Sequence, residues 1–417
     1  MMRIIALVLS VVIAGCQTVD AQAPAIDPAW SEDLTAFRDN LEARHIDLYH
    51  TVHRETFQAE LDQLAKNGVR LSEPERLIAV MRLTRTIGDG HKSVPLWGAP
   101  IKRYPIETTL VDDAILITGV SDAHKDLLGG VLKTINGAPA DEAAARLSEI
   151  VPFVENAYSE RVRTGMYLTI EDLLVGFGVV EPGGADFTIE TDTGVQTVSM
   201  TAVDRDAFDA AVTHRLDPRH PDLYFERPPD QSDTLWFGAH TQSKTIYIQF
   251  DAYPAFDDMA RFAERALAHI NETAVAHIII DLRDNFGGDF FTGLQLSAYL
   301  NLADSVHWRD GVYVLIGNRT FSAAMSNAAQ FKQTLNAKLV GEPTGARPCG
   351  YQDMGQFNLP NSSLLITYSK RRFCFIDTSE NAVSPDILIK TPIADYVAEQ
   401  DSVLDWVMAD IDMRAAQ

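Results

Sequence analysis

Three stretches of this sequence carry residue types that suit nucleophilic chemistry. The first holds Ser322. Residues 312–316 read as a buried strand, Gly317-Asn318-Arg319-Thr320-Phe321 as a turn, 322 to about 336 as a helix, and 338–340 as a returning strand. Strand, crossover helix and strand build parallel sheets, whose loops open at the strand ends where ligands bind. Ser322 stands where loop meets helix, beside unpaired N–H groups and the positive end of the helix dipole, which stabilise a developing negative charge. The same place is the ordinary one for a helix N-cap, so position alone leaves both roles open. The second stretch is Gly88-Asp89-Gly90-His91. Its glycines cannot sustain a helix, so His91 is held on a tight turn, where an imidazole suits proton transfer near neutral pH or a bond to a local carbonyl. The third is Asp281-Leu282-Arg283-Asp284-Asn285-Phe286-Gly287-Gly288, after a nearly continuous apolar strand. Adjacent glycines there let the backbone approach a bound group and turn its N–H groups inward. Neither Gly-x-x-x-x-Gly-Lys-Ser/Thr nor Gly-x-Gly-x-x-Gly is present, which removes a phosphate-binding reading; an oxyanion hole needs the same geometry.

The elements that must position these residues follow from periodicity. Leu34, Phe37, Leu41 and Leu48 mark one helical face, and Phe57, Leu61 and Leu64 a second helix closed by Asn67-Gly68. Ser72-Glu73-Pro74-Glu75 has the capping-box pattern and starts a third, read over 77–85 and running into the His91 loop. His45, His50 and His53 cluster at a turn of this segment without a histidine–carboxylate metal motif and read as solvated surface residues. Residues 94–232 are richer in strand-like runs: 114–118, 127–137 ending in an Asn-Gly turn, and a hairpin over 187–200, with a helical stretch near 140–180 between them. Pro218, Pro221, Pro228 and Pro229 mark a boundary before the last segment. That segment alternates strand 245–250, helix 257–270, strand 277–282 and a helix to about 300. The expected fold class is a multidomain α+β chain: a helical N-terminal bundle (29–93), a β-rich middle segment (94–232) and an α/β core (233–417).

Composition bounds the partners. The chain has 417 residues, 46% of them hydrophobic, enough for more than one core. Lys and Arg total 35 against 58 Asp and Glu, a net charge of −23. So acidic a chain repels phosphate backbones, and nucleic acid is excluded as an expected partner. Arg3 precedes the apolar run 4–13, too short to span a bilayer, where about 20 residues are needed, but suited to a secretory signal. It ends in Ile13-Ala14-Gly15-Cys16, which resembles the lipobox of bacterial lipoproteins. That resemblance implies cleavage after residue 15, a lipid on Cys16, a tether over 16–28, and a bacterial envelope location facing the periplasm or exterior. Cys349 and Cys374 remain as an even pair that an oxidising compartment would bridge or leave as two buried thiols.

Asp281 to Gly288, Thr320-Phe321-Ser322-Ala323-Ala324 and Val340-Gly341-Glu342-Pro343-Thr344, in this order, resemble the C-terminal processing (tail-specific) serine peptidase family, which includes the tricorn protease core. Gly88-Asp89-Gly90-His91, Leu359-Pro360-Asn361-Ser362 and Val383-Ser384-Pro385-Asp386 fit its flanking motifs, so the resemblance covers most of the chain from about residue 30. It implies a crotonase/ClpP-like catalytic core, and the 127–137 stretch resembles part of a PDZ-like module, which captures chain termini by strand addition. Where lysine-using members carry their base, this chain has Arg347, which is not deprotonated in proteins. It therefore looks like the lysine-less branch, with Gly90 in place of the serine that precedes the histidine in tricorn. The resemblance implies Ser322 as nucleophile, His91 as base, the amides of Gly287 or Gly288 and of Ala323 as oxyanion donors, and Glu380 as the acid that orients His91, with Asp89 an alternative. Asp281 and Arg283 read as a structural pair beneath the glycine loop. No cofactor or metal is expected, and the substrate expected is a peptide or protein. The competing reading is a binding lipoprotein on the same fold that holds peptides or lipophiles without catalysis.

Overall fold

The structure, a computed structural model, describes residues 27–376 and 380–415. The apolar leader and Cys16 lie outside the described residues. The chain is mixed α+β. Helices α1 (Pro28–Arg44), α2 (Arg54–Asn67) and α3 (Glu73–Thr86) pack at the N-terminus, and the capping box read at Ser72 and Glu75 is formed. A seven-stranded sheet follows: β1 (Ile106–Val111), β2 (Ala114–Val120), β3 (Val131–Ile135), β4 (Ala138–Pro139), β5 (Ala185–Thr191), β6 (Gly194–Met200) and β7 (His214–Arg215). Between its strands run α4 (Ala140–Ser148), α5 (Ala157–Tyr167), α6 (Glu171–Gly176) and α7 (Arg205–Ala211). Trp30, Phe37 and Phe57 of the helices and Ile106, Ile117 and Phe187 of the sheet belong to one continuous apolar core.

The C-terminal half is a six-stranded sheet in the order β15-β12-β11-β10-β9-β8. Its strands are β8 (Leu235–His240), β9 (Thr245–Phe250), β10 (His277–Asp281), β11 (Val312–Ile316), β12 (Lys338–Gly341) and β15 (Ile387–Leu388). All neighbours are parallel except β8 on β9. Side chains alternate between faces, so strands covered on both sides must be apolar throughout. Ile246, Ile248, Ile278, Ile280 and Val314 face α8 (Phe256–Thr273), α9 (Phe290–Leu300) and α10 (Ala323–Thr334). Tyr247, Ile279, Tyr313 and Leu315 face α12 (Ser402–Ala415), which follows the short α11 (Ile393–Val397).

A long hairpin, β13 (Cys349–Asn358) and β14 (Leu365–Cys374), joins the halves. Cys349 and Cys374 are opposite each other at its base and are disulfide-bonded. Its tip enters the N-terminal core through Phe357 and Ile366. There Asp33 accepts from the amides of Asn361 and Ser362 at 2.8 and 2.9 Å. Lower down, Thr367 N–H bonds to Ser93 O and Ser93 N–H to Thr367 Oγ1, both at 2.9 Å. This hairpin is what brings the loop after α3 to the start of α10.

Candidate active site

Ser322 follows β11 and immediately precedes α10, with φ 52° and ψ −123°, a backbone state that a non-glycine residue adopts only under constraint from its surroundings. Its side chain makes no capping bond to the helix. Instead Oγ lies 2.8 Å from Nε2 of His91, across 231 residues of sequence. The helix-cap role that position allowed is thus not the one taken. With Nε2 unprotonated, the hydroxyl donates to the ring, which is the arrangement of a base poised on its nucleophile.

His91 owes its position to Asp89. The Asp89 carboxylate accepts from the amides of His91 and Lys92 at 3.0 Å, from Ser369 Oγ at 2.7 Å and from His45 Nε2 at 2.7 Å. Burial alone would push this carboxyl up, but His45, Lys92 and Ser369 hold it down at about 2. Asp89, offered as an alternative acid for His91, is therefore the turn's internal cap. His45, expected at the surface, is buried against it because that carboxylate needs a donor; Nδ1 of His45 in turn accepts from Asp47 N–H at 3.0 Å. Gly88 has φ +83° and faces Thr51 closely, so the sharp exit from α3 requires glycine there. Beside His91, Lys92 is buried with no hydrogen-bond partner for Nζ among the described residues, and burial brings its pKa down to about 7.

The carboxylate on the far side of the ring is Glu155, which the sequence reading missed. Its Oε1 lies 3.1 Å from His91 Nδ1, at ion-pair distance but off the line of the N–H. Oε2 accepts from Arg347 N–H at 2.7 Å, and Arg347 Nε donates to the Glu155 carbonyl at 2.6 Å. The residue standing where a lysine base was sought thus anchors the acid. Burial disfavours the charged imidazole, yet Glu155 and the field of Asp89 outweigh it and raise the His91 pKa. Gly90 explains how Glu155 comes so near: a Cβ there would fall 2.2 Å from its Cγ. Glu380, expected in this role, is exposed and accepts from Ser384 Oγ at 2.8 Å. Its segment does pass close by, since Asn156 Nδ2 donates to Asn381 O at 2.7 Å, but the acid against Nδ1 is Glu155.

The glycine loop divides its work differently from expectation. Gly287 N–H donates to Asn285 Oδ1 at 2.8 Å and is not available to a ligand. Asn285 is fully buried, donates to Phe250 O at 2.7 Å and accepts from Phe321 N–H at 3.0 Å, so it fastens the loop to the Ser322 turn. The amides of Gly288 and Ala323 have no acceptor among the described residues, and both residues line the cleft that holds Ser322. A Cβ on Gly287 would lie 2.6 Å from Ser322 Cβ and 3.1 Å from Ala323 N, and Gly287 has φ +111°. Gly287→Ala is therefore expected to fill the space in front of the Ala323 amide. Hydrolytic activity should fall by ~10²-fold or more, the order of one lost oxyanion donor, with near-ultraviolet dichroism retained. Activity within threefold of the parent would remove that amide from the mechanism. Beneath the loop Arg283 bridges Asp281 and Asp401 at 2.6 Å each, the structural pair read from the sequence with one more member.

The cleft has a volume of about 840 Å³ and runs between the two halves, with Trp97, Phe153, Phe286, Phe290 and Phe373 among its walls. Comparison with protein-family models returned no match, and comparison with curated protein sequences returned none. Solved structures do match. CPAF complexed with lactacystin superposes with a TM-score of 0.61 at 12% identity over 93% of this chain and 98% of that one. Mature CPAF gives 0.58 at 12% identity over 89% and 94%. The tricorn protease gives 0.43 at 15% identity, over 92% of this chain and 37% of that one. The chain shares the fold of CPAF.

Proposed function

We propose that this chain is a serine peptidase in which Ser322 is the nucleophile, His91 the general base and acid, and Glu155 the group that orients and charges His91. The observation that carries the reading is the 2.8 Å contact of His91 Nε2 with the hydroxyl of a serine whose backbone is strained and whose side chain caps nothing, beside two amides without an acceptor among the described residues. As Oγ bonds to the peptide carbonyl carbon, its proton passes to Nε2, and the carbonyl oxygen takes the negative charge toward the Ala323 and Gly288 N–H groups. Collapse breaks the C–N bond, and His91 returns the proton to the departing amine. Water, deprotonated by the same nitrogen, then releases the acyl group. Glu155 holds the ring and offsets its positive charge while the proton is on it.

On this reading the six-stranded core is the crotonase/ClpP-like catalytic unit, the middle sheet is PDZ-like, and the serine is activated without lysine. Cys16 would carry a lipid that holds the enzyme at a bacterial envelope membrane, with the cleft turned to the periplasm or exterior. The test is labelling of the lipid-free protein with a fluorophosphonate probe. Stoichiometric label is expected on Ser322, none on Ser322→Ala, and protection by lactacystin, which CPAF binds. A native protein that takes no label would return the cleft to the binding-lipoprotein reading.

A further inference from the structure

Arg163 projects from α5 into the cleft and is only 8% exposed, yet no carboxylate among the described residues meets it. Among the described residues its Nε has no acceptor, and Nη1 reaches only Met166 Sδ at 3.9 Å. Its guanidinium is held instead by rings, 4.2 Å from the centroid of Phe286, 5.2 Å from Phe153 and 5.7 Å from Phe321. The other arginine and lysine side chains at the cleft each have a carboxylate partner: Lys370 and Arg371 share Asp353 at 3.0 and 3.1 Å. Arg319, on Phe286 as well, pairs with Asp284 at 3.0 Å. Burial brings the Arg163 pKa down to about 10, which still leaves it charged at neutral pH. A buried cation without an anion is costly, and aromatic faces offset only part of that cost. A net charge of −23 supplies no general attraction for acidic ligands, so any preference for one must be local.

We propose that Arg163 is a specificity residue that takes a carboxylate of the bound chain beside Phe153 and Phe286, from either an acidic side chain or a free C-terminus. This rests on the reading of the cleft as a peptide site. The planar guanidinium, already ordered by the rings, would meet the carboxylate through the edge the protein leaves unpaired.

The test uses full-length Ser322→Ala protein, which binds without cutting, and N-labelled octapeptides of alanine and phenylalanine read by fluorescence anisotropy. Four forms are compared: C-terminal amide, free C-terminus, and the amide with one Glu or one Gln moved through the positions. At least one carboxylate form is expected to bind tenfold or more tighter than its neutral counterpart, and which form does so identifies the source. Adding Arg163→Met, which keeps the stem on the rings, should abolish that difference and change neutral-peptide affinity less than threefold, whereas Arg163→Lys should keep part of it. Equal affinity for acidic and neutral peptides, or a loss in Arg163→Met that is uniform across all four, overturns the proposal. If peptides bind without such preference while native Ser322 takes the fluorophosphonate, only this inference fails. If nothing binds and nothing labels, the peptidase reading fails with it.

Discussion

His91→Ala is expected to lower casein hydrolysis by ~10⁵–10⁶-fold, the loss seen when a base acting as a unit with its serine is removed. The size follows from what the hydroxyl would lack. Its proton has one acceptor among the described residues, Nε2 at 2.8 Å, and an un-ionised serine is a poor nucleophile near neutral pH. The loop should survive the change, because what shapes it is the Asp89 carboxylate with its four donors and the Ser93–Thr367 bonds, none of which uses the imidazole. Thermal unfolding should therefore remain cooperative, with a modest loss from the space vacated beside Phe321. Hydrolysis within tenfold of the parent would mean that another group takes the proton, and the buried, partly neutral Lys92 next door would be the first to substitute.

How much of this was readable beforehand divides along a physical line. The turns that carry Ser322, His91 and the glycine pair are marked locally, strand, turn and helix by apolar period and glycines by the turns they permit, while position alone left the roles of Ser322 and His91 open. The succession of core strands and helices follows from the same periodicity, whereas the cysteine pair was left open between a bridge and two thiols until the hairpin set Cys349 opposite Cys374. Glu155 leaves no local mark. It lies just before α5 in a stretch with no motif, and it matters because Arg347 grips it from 192 residues away and because Gly90 lacks a Cβ. That missing Cβ was the available signal, since a glycine is the one residue that leaves the space which Glu155 fills. Placing the acid at Glu380 carried over a position in sequence when the position in space was already filled. Asn285 was hidden for the same reason: its side chain ties Gly287, two residues on, to Phe250, a partner that only the closed sheet brings near. His45 was misplaced at the surface because a single buried carboxylate, not a hydropathy pattern, draws it inward.

Glu155→Gln separates charge from geometry at that site. A glutamine can still accept from Arg347 N–H, so the fold should hold, but it cannot offset a charged imidazole. With Oε1 off the N–H line, the loss should fall short of a fully aligned acid's ~10⁴-fold; we expect about 10²–10³-fold. The pH dependence carries the sharper signature. Proton abstraction requires the neutral ring, so the rate of Ser322 phosphonylation rises as pH passes upward through the His91 pKa. In the parent that acid limb should lie above the ordinary imidazole value near 6.5, because Glu155 and Asp89 together outweigh burial. Removing the Glu155 charge leaves burial opposed only by Asp89 and the Tyr351 backbone, and the limb should move to lower pH. Gly90→Ala should reproduce this by another route, since its Cβ displaces the carboxylate it would otherwise touch. Glu380→Gln should leave both rate and limb where they are. A limb that stays in place in Glu155→Gln and shifts in Glu380→Gln would reinstate the acid that the sequence suggested and reduce Glu155 to a strut between α5 and Arg347.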